Sequence, residues 1–158
     1  MELIVKYAGL IKNDIVNGEG VCVSFWTQGC PFKCKGCHNP QTWDFNGGKD
    51  LPHDIKGQIV KAISDNNITR NFSILGGEPL CEQNIELVKE ILLAVKTAYP
   101  HIKVFLWTGY ELEDIKDAII LEKVDVLITG PYIEEQRDIT LPLRGSYNQK
   151  ILRKEIDF

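Results

Sequence analysis

The chain has 158 residues, of which 44% are hydrophobic, and a formal net charge of −4 at pH 7. This length predicts one domain over residues 1–158, with enough apolar side chains for a core. The acidic balance, without a basic stripe, argues against a nucleic-acid partner. No apolar run approaches the roughly 20 residues that span a bilayer, and the N-terminus lacks the apolar core of a signal peptide, so we expect a cytoplasmic protein with no membrane contact.

The first part of the chain predicts a small β-rich start. Short apolar stretches at 3–5, 10–11 and 15–16 precede the turn-forming sequence Asn-Gly-Glu-Gly at 17–20. The apolar run at 21–27 then predicts a buried strand.

Three cysteines follow this strand with the spacing Cys-x3-Cys-x2-Cys, at Cys30, Cys34 and Cys37. Thiolates are soft ligands that suit zinc or iron–sulfur centres. A four-iron cluster that is held by three cysteines leaves one iron open to another ligand. A Cys3His zinc site with His38 is the alternative, and it is disfavoured because a histidine directly after Cys37 would be cramped as a fourth ligand.

The other two cysteines, Cys22 and Cys81, lie outside this run, and we interpret both as small buried packing residues. The odd total of five cysteines disfavours a disulfide framework. Free thiolates suit a reducing compartment.

Downstream of the cysteines, apolar strands alternate with amphipathic helices. The pattern predicts strands at 71–75, 104–107 and 124–128, and helices at about 53–66, 83–98 and 112–119. Such units indicate parallel strands that are covered by helices. A complete eight-stranded barrel needs about 200–250 residues. We therefore predict an α/β fold, an incomplete and open (β/α) barrel with mostly parallel strands.

Glycine-rich or polar loops follow the carboxyl ends of the predicted strands. They are the cysteine run, Gly-Gly-Glu-Pro at 76–79, Thr-Gly at 108–109 and Thr-Gly-Pro at 129–131. Because the carboxyl ends of parallel strands share one edge, we expect these loops to gather on one rim. Paired glycines let backbone groups approach a ligand closely, and Glu78 adds an acceptor for a cationic group. Thr108, Asp125 and Thr129 are further polar candidates, with a structural role favoured for each.

The cysteine spacing, followed one helix and one strand later by the paired glycines, resembles the signature of the radical S-adenosylmethionine (SAM) superfamily. Further motifs narrow the resemblance, and they lie at 17–20, 36–39, 42–43, 130–132 and 143–149. Over about residues 13–152 the chain resembles the family of activating proteins of anaerobic ribonucleoside-triphosphate reductase. Gly36 departs from the superfamily pattern, in which an aromatic residue often precedes the last cysteine, and His38 is a candidate to pack against the adenine instead.

This resemblance implies a glycyl-radical activating enzyme. Cys30, Cys34 and Cys37 would hold a [4Fe–4S] cluster whose open iron binds SAM. Reductive cleavage of SAM would give a 5′-deoxyadenosyl radical, which takes a hydrogen atom from a glycine of the reductase large subunit. An electron donor such as flavodoxin is implied as a second partner.

The resemblance also implies which residues contact SAM. They are Gly36, Cys37, His38, Gly76, Gly77, Glu78 and Thr108. The alternatives to this function are an activase of a different glycyl-radical enzyme and a non-catalytic zinc-binding interaction module.

Overall fold

The computed structural model describes residues 5–158, so residues 3 and 4 of the first apolar stretch lie outside the described range. Within that range the chain forms a seven-stranded sheet and three α-helices. In chain order the elements are β1 (Lys6–Asp14), β2 (Cys22–Thr27), β3 (Lys49–Asp50), α1 (Ile55–Ile63), β4 (Asn71–Gly76), α2 (Ile85–Ala98), β5 (Val104–Trp107), α3 (Ala118–Lys123), β6 (Val126–Thr129) and β7 (Lys150–Arg153).

The sheet has the strand order β3-β1-β2-β4-β5-β6-β7 and is open. Its four central strands, β2, β4, β5 and β6, are parallel. β1 and β3 extend it antiparallel at one edge, and β7 extends it antiparallel at the other. The predicted α/β class with a largely parallel centre is therefore confirmed, and the β-rich start corresponds to β1, which leads into the buried strand β2.

The helices cover one face of this sheet. Phe25, Ile74 and Leu106 point from three parallel strands toward the helices and are fully buried, in one cluster with Ile59 of α1 and Leu92 of α2. Full burial of such a side chain contributes about 1.5–3 kcal/mol. This layer is the main core of the protein.

The opposite face of the sheet is covered by loops. Phe105, Val126 and Ile128 form a smaller buried cluster there, and Leu143 packs against it from segment 131–149. The indole Nε1 of Trp107 donates a hydrogen bond to the Leu143 carbonyl at 2.6 Å. The chain between β6 and β7 is thereby fixed to this face.

The loop between β1 and β2 is fixed to the same face by the buried Asp14. Its carboxylate accepts hydrogen bonds from the backbone N–H groups of Val16 at 2.9 Å and Asn17 at 3.0 Å, and from Ser24 Oγ at 2.8 Å. Ser73 Oγ donates to the Asn17 carbonyl at 2.6 Å. Burial alone would raise the pKa of Asp14, but hydrogen bonds from Asn17, Ser24 and Val16 lower it.

The helix predicted at 112–119 is divided in two. A 3-10 turn spans Leu112–Asp114, and α3 begins only at Ala118. The cause is Asp117, whose Oδ1 accepts hydrogen bonds from the N–H groups of Ile119 at 2.9 Å and Ile120 at 3.2 Å and so caps α3. The helix predicted at 53–66 ends earlier, at Ile63.

Of the helices between residues 5 and 158, the longest is α2, with 14 residues. None of them combines the length and apolar character that crossing a membrane requires.

Candidate functional site

The cysteine loop begins at the carboxyl end of β2 and is closed by backbone hydrogen bonds. The N–H of Gly29 donates to the Thr42 carbonyl at 2.6 Å, and the N–H of Cys30 donates to the Trp43 carbonyl at 3.2 Å. These two bonds join the start of the loop to its end. The cysteines therefore lie on a closed loop whose two ends meet at the edge of the sheet.

The paired glycines at the end of β4 lie directly against this loop. The N–H of Gly77 donates to the Thr27 carbonyl at 2.9 Å, and the N–H of Glu78 donates to the Gly29 carbonyl at 2.8 Å. A Cβ on Gly77 would collide with the Gly29 carbonyl oxygen and would lie 2.9 Å from that of Thr42. Only glycine permits this approach.

Glu78 is 1% exposed and joins the ends of β4 and β5. Its Oε2 accepts hydrogen bonds from the Leu80 N–H at 2.9 Å and from Thr108 Oγ1 at 2.7 Å, and its Oε1 accepts one from the Gly109 N–H at 2.6 Å. Burial raises the pKa of Glu78 to about 7, although these hydrogen bonds act in the opposite direction. In this arrangement the carboxyl group positions the loops around it.

A cavity of about 460 Å³ opens on the loop-covered face, beside the carboxyl ends of the parallel strands. Its volume lies within the range of about 300–1,000 Å³ that is typical of small-molecule sites. The predicted site residues that line it are Cys30, Cys34, Cys37, His38, Gly76, Gly77, Glu78 and Thr108.

Gly36 does not line this cavity. Its φ of +74° favours glycine, and a Cβ there would lie 2.6 Å from the side-chain carboxyl carbon of Glu134. The absence of an aromatic residue before the last cysteine thus makes room for Glu134. His38 lies edge-to-face with Tyr132, with their ring centroids 5.2 Å apart.

The three cavity thiols are free and partly exposed. Burial raises the pKa of Cys30 and of Cys34, although backbone N–H groups that point at the two sulfurs favour the thiolates. Within residues 5–158, no three His, Cys, Asp or Glu side chains are arranged as a metal-binding group. What the cavity offers is soft sulfur donors with backbone N–H groups directed at them, and such a donor set suits an iron–sulfur cluster.

Three buried donor atoms of the cavity-lining residues have no hydrogen-bond partner in the part of the chain that the structure describes. They are Trp43 Nε1, Tyr132 OH and Arg144 Nε. Arg144 donates from Nη1 to the Gln149 carbonyl at 2.7 Å. Because an unsatisfied buried donor costs about 1–3 kcal/mol, these atoms indicate a ligand rich in acceptors.

Segment 131–149 builds the wall that carries Arg144. Gln149 organises it, since its Oε1 accepts from the Gly145 N–H at 2.8 Å and its Nε2 donates to the Gly130 carbonyl at 3.1 Å. Asn148 Nδ2 donates to the Pro131 carbonyl at 2.6 Å. Sequence reasoning used this motif to recognise a family but gave Arg144 no role. The signal was available in the Arg-Gly-Ser-x-Asn-Gln sequence itself.

Two of the further polar candidates do not belong to the site. Asp125 accepts hydrogen bonds from Lys96 Nζ at 2.7 Å and from the Val104 N–H at 2.8 Å, at the amino end of the strands. Thr129 is fully buried and does not line the cavity. Both residues have the structural role that was favoured for them, although the sequence does not tell to which edge or face of the sheet a polar side chain points.

The other two cysteines are buried, as expected of packing residues. Cys22 is fully buried, and Cys81 is buried beside Asn84, whose Nδ2 lies 3.5 Å from its sulfur. Asn84 also donates to the Gln28 carbonyl at 3.1 Å and to the Glu78 carbonyl at 3.0 Å. The sequence pattern did not reveal that Asn84 links the cysteine loop to the segment that follows the paired glycines.

Comparison with known families assigns the class of protein. Residues 16–152 match the family described as "4Fe-4S single cluster domain". The fold and the cysteine-lined cavity therefore belong to a single-cluster iron–sulfur domain. This match favours iron over the zinc alternative.

Individual relatives narrow the class. The chain is 37% identical over 143 residues to the anaerobic ribonucleoside-triphosphate reductase-activating protein of Vibrio cholerae, covering 89% of this chain and 92% of the relative. It is 35% identical over 152 residues to that of Haemophilus influenzae, covering 94% and 98% respectively. It is 35% identical over 147 residues to that of Enterobacteria phage T4, covering 93% of each. This chain belongs to the family of anaerobic ribonucleoside-triphosphate reductase-activating proteins, which confirms the resemblance predicted from the motifs.

Proposed function

We propose that this protein is a radical SAM enzyme that activates the large subunit of anaerobic ribonucleoside-triphosphate reductase. The observation that carries the proposal is the cavity, in which the three spaced cysteines and the paired glycines come together at one edge of a parallel sheet. The family to which the chain belongs names the partner.

Cys30, Cys34 and Cys37 would be the three protein ligands of a [4Fe–4S] cluster, with one iron left for SAM. When bound and reduced, the cluster would supply the electron for cleavage of SAM, and the chemistry gained would be removal of a hydrogen atom from a glycine of the reductase. The chemistry needs no general base, because hydrogen moves as an atom. The protein has to hold the reactants and to exclude water from them.

The residues around the cysteines fit the task of holding SAM. The carbonyl groups of Gly76 and Gly77 are candidates to accept hydrogen bonds from its amine, with Glu78 fixing the corner on which they lie. His38 is the candidate to pack against the adenine. Arg144 carries a buried and unpartnered N–H, so we assign it to the carboxylate of SAM.

The architecture is consistent with an incomplete, open (β/α) barrel whose inner face is the loop-covered side of the sheet. We propose that residues 1–158 act as one domain, because the main apolar cluster includes side chains from β1 through to Phe158. We propose a cytoplasmic location, because a cluster of this kind needs reduced cysteines. A flavodoxin is the proposed electron donor.

Electron paramagnetic resonance tests this function directly. Protein that has been reconstituted anaerobically with iron and sulfide, and then reduced with dithionite, should show a [4Fe–4S]⁺ signal that shifts when SAM is added. After incubation with SAM, the reductase should carry a glycyl radical, whereas pyruvate formate-lyase should not. One zinc per chain without sulfide, or a cluster signal that is indifferent to SAM, would refute the proposal.

A further inference from the structure

Two exposed aliphatic side chains line the cavity from different segments of the chain. Val16, in the loop between β1 and β2, is 76% exposed, and Ile139, in segment 131–149, is 80% exposed. Ile15, next to Val16, is 77% exposed. Both segments lie on the loop-covered face of the sheet. We call Val16 and Ile139 together the apolar rim.

The backbone on which each side chain of the apolar rim stands is held in place by a neighbouring aspartate. Asp14 accepts hydrogen bonds from the Val16 N–H at 2.9 Å and from Ser24 Oγ at 2.8 Å. Asp138, beside Ile139, accepts hydrogen bonds from the Thr140 N–H at 2.8 Å and from the Tyr147 hydroxyl at 2.5 Å. The exposed aliphatic groups are therefore presented by ordered turns, which reduces the entropy lost when a partner covers them.

The proposed reaction requires that a partner cover the rim. A hydrogen atom is transferred only between atoms in van der Waals contact, so the glycine must enter the cavity that the three cysteines line. The helices close the other face of the sheet, and the main core fills the space between. The cavity opens on the loop-covered face, and Val16 and Ile139 line it there together with the cysteines, so a polypeptide that enters from this face passes both side chains.

We propose that the apolar rim docks the glycine-bearing segment of the reductase. This inference rests on the proposed function and adds the surface by which the partner is recognised. The occupant is a stretch of backbone with a glycine at the cavity and apolar side chains against Val16 and Ile139. Covering one such aliphatic side chain contributes about 1.5–3 kcal/mol, which corresponds to about a 10- to 100-fold gain in affinity.

The test compares Val16→Asp and Ile139→Asp with the matched control Ile156→Asp. Ile156 is also 80% exposed but does not line the cavity. Each reconstituted variant is assayed for iron content, for 5′-deoxyadenosine formed with dithionite in the absence of reductase, and for the glycyl radical formed on purified reductase. The rim variants should keep their iron and their SAM cleavage, and should need about 10- to 100-fold more reductase for half-maximal radical formation. The control should match the wild type throughout.

Three results would overturn the inference. One is wild-type dependence on reductase concentration in both rim variants. Another is an equal loss in the Ile156 variant. The third is a rim variant that no longer cleaves SAM in the absence of reductase, because this would place the rim against SAM. If an aspartate variant binds less iron, the milder Val16→Ser and Ile139→Ser variants are used for the same measurements. A wild type that cleaves no SAM would instead refute the proposed function.

A photo-crosslinking residue gives an independent readout. When it replaces Ile139, it should link to the tryptic peptide of the reductase that contains the radical glycine. When it replaces Ile156, that peptide should not be captured. A link from position 139 to a remote peptide would contradict the inference.

Discussion

Among the residues that the structure describes, Arg144 is the single Lys or Arg side chain that lines the cavity. Its Nε–H is buried without a partner, while its Nη1 is bound to the Gln149 carbonyl at 2.7 Å. One hydrogen bond therefore fixes the direction of the guanidinium, and another donor remains for a ligand. A fixed cation in a cleft is well placed to bind a carboxylate.

Arg144→Ala should weaken SAM binding by about 10- to 100-fold, because a hydrogen bond to a charged group contributes about 1.5–3 kcal/mol. The dissociation constant is measured by titrating SAM into the reduced protein and following the shift of the cluster signal. Arg153→Ala is the control, since Arg153 pairs with Glu19 at 3.0 Å and does not line the cavity. Equal affinities in wild type and Arg144→Ala would remove Arg144 from the SAM site.

Replacement of any of the three cavity cysteines by alanine should abolish SAM cleavage, because a cluster with two protein ligands is not held. The measurements are iron and sulfide content after reconstitution and 5′-deoxyadenosine yield. Cys22→Ala and Cys81→Ala should keep both and lose only about 1 kcal/mol of stability, since both side chains are buried outside the cavity lining. A Cys22→Ala variant that binds a normal cluster but does not cleave SAM would contradict the interpretation of Cys22 as a packing residue.

Among single residues, the sequence alone predicted those that lie close together in the chain. Cys30, Cys34 and Cys37 lie within eight residues, so their proximity needs no knowledge of the fold. Arg144 was not predicted to be a site residue: its motif marked the segment, but the buried N–H without a partner is visible only in the tertiary structure. Asp125 has the structural role that was favoured for it, but its pairing with Lys96 could not be predicted, because the two residues are far apart in the chain.

The corner at the end of β4 is the element on which the site depends. Gly76 has a φ of +108°, and a Cβ on it would lie 2.5 Å from the Thr27 carbonyl oxygen. Its neighbour Gly77 meets the cysteine loop with equally little space. Both glycines thus let two loops touch through backbone atoms alone.

Gly77→Ala should displace the cysteine loop, because its Cβ would overlap the Gly29 carbonyl oxygen. Overpacking of this kind costs about 1–3 kcal/mol, and we expect both lower stability and lower iron occupancy. The matched control is Gly57→Ala in α1, where nothing lies within 4 Å of the added Cβ. That change should stabilise the protein by about 1 kcal/mol through helix propensity. Unfolding in urea measures the stability of both variants. A Gly77→Ala variant with the stability and iron content of the wild type would contradict this prediction.

The elements that could be predicted are those with a continuous pattern. β5 was predicted at 104–107 and spans Val104–Trp107, and α2 was predicted at 83–98 and spans Ile85–Ala98. β7 was missed because it has four residues, none of them fully buried, and becomes a strand only by pairing with β6. Local periodicity cannot reveal an edge that depends on a distant partner.

At the scale of the whole molecule, the two faces of the sheet have different tasks. The helix-covered face holds the larger apolar cluster, and the loop-covered face holds the cavity. Glu78 lines the cavity, and because its burial raises its pKa to about 7, its protonation affects the stability of the entire fold.

The free energy of unfolding of the cluster-free protein should fall as the pH rises from about 5 to 7. The pKa of Glu78 is raised from 4.5 to about 7, so the folded state favours the protonated form. The stabilisation is complete below the unfolded pKa and is lost as the pH rises through the folded one, up to about 1.4 kcal/mol per pH unit.

Urea unfolding at several pH values measures this slope. Glu78→Gln should flatten it, and Glu90→Gln, on an exposed position of α2, should keep it. A slope that is unchanged in Glu78→Gln would show that Glu78 does not titrate in this range.

The position of segment 131–149 has a consequence for how the protein is made. The cysteines, at 30–37, precede the wall that carries Tyr132, Arg144 and Gln149 in the order of synthesis. Until this segment has been made, the thiols of a growing chain have no wall beside them on that side. The cavity is therefore assembled only after this segment has been made and β7 has paired with β6.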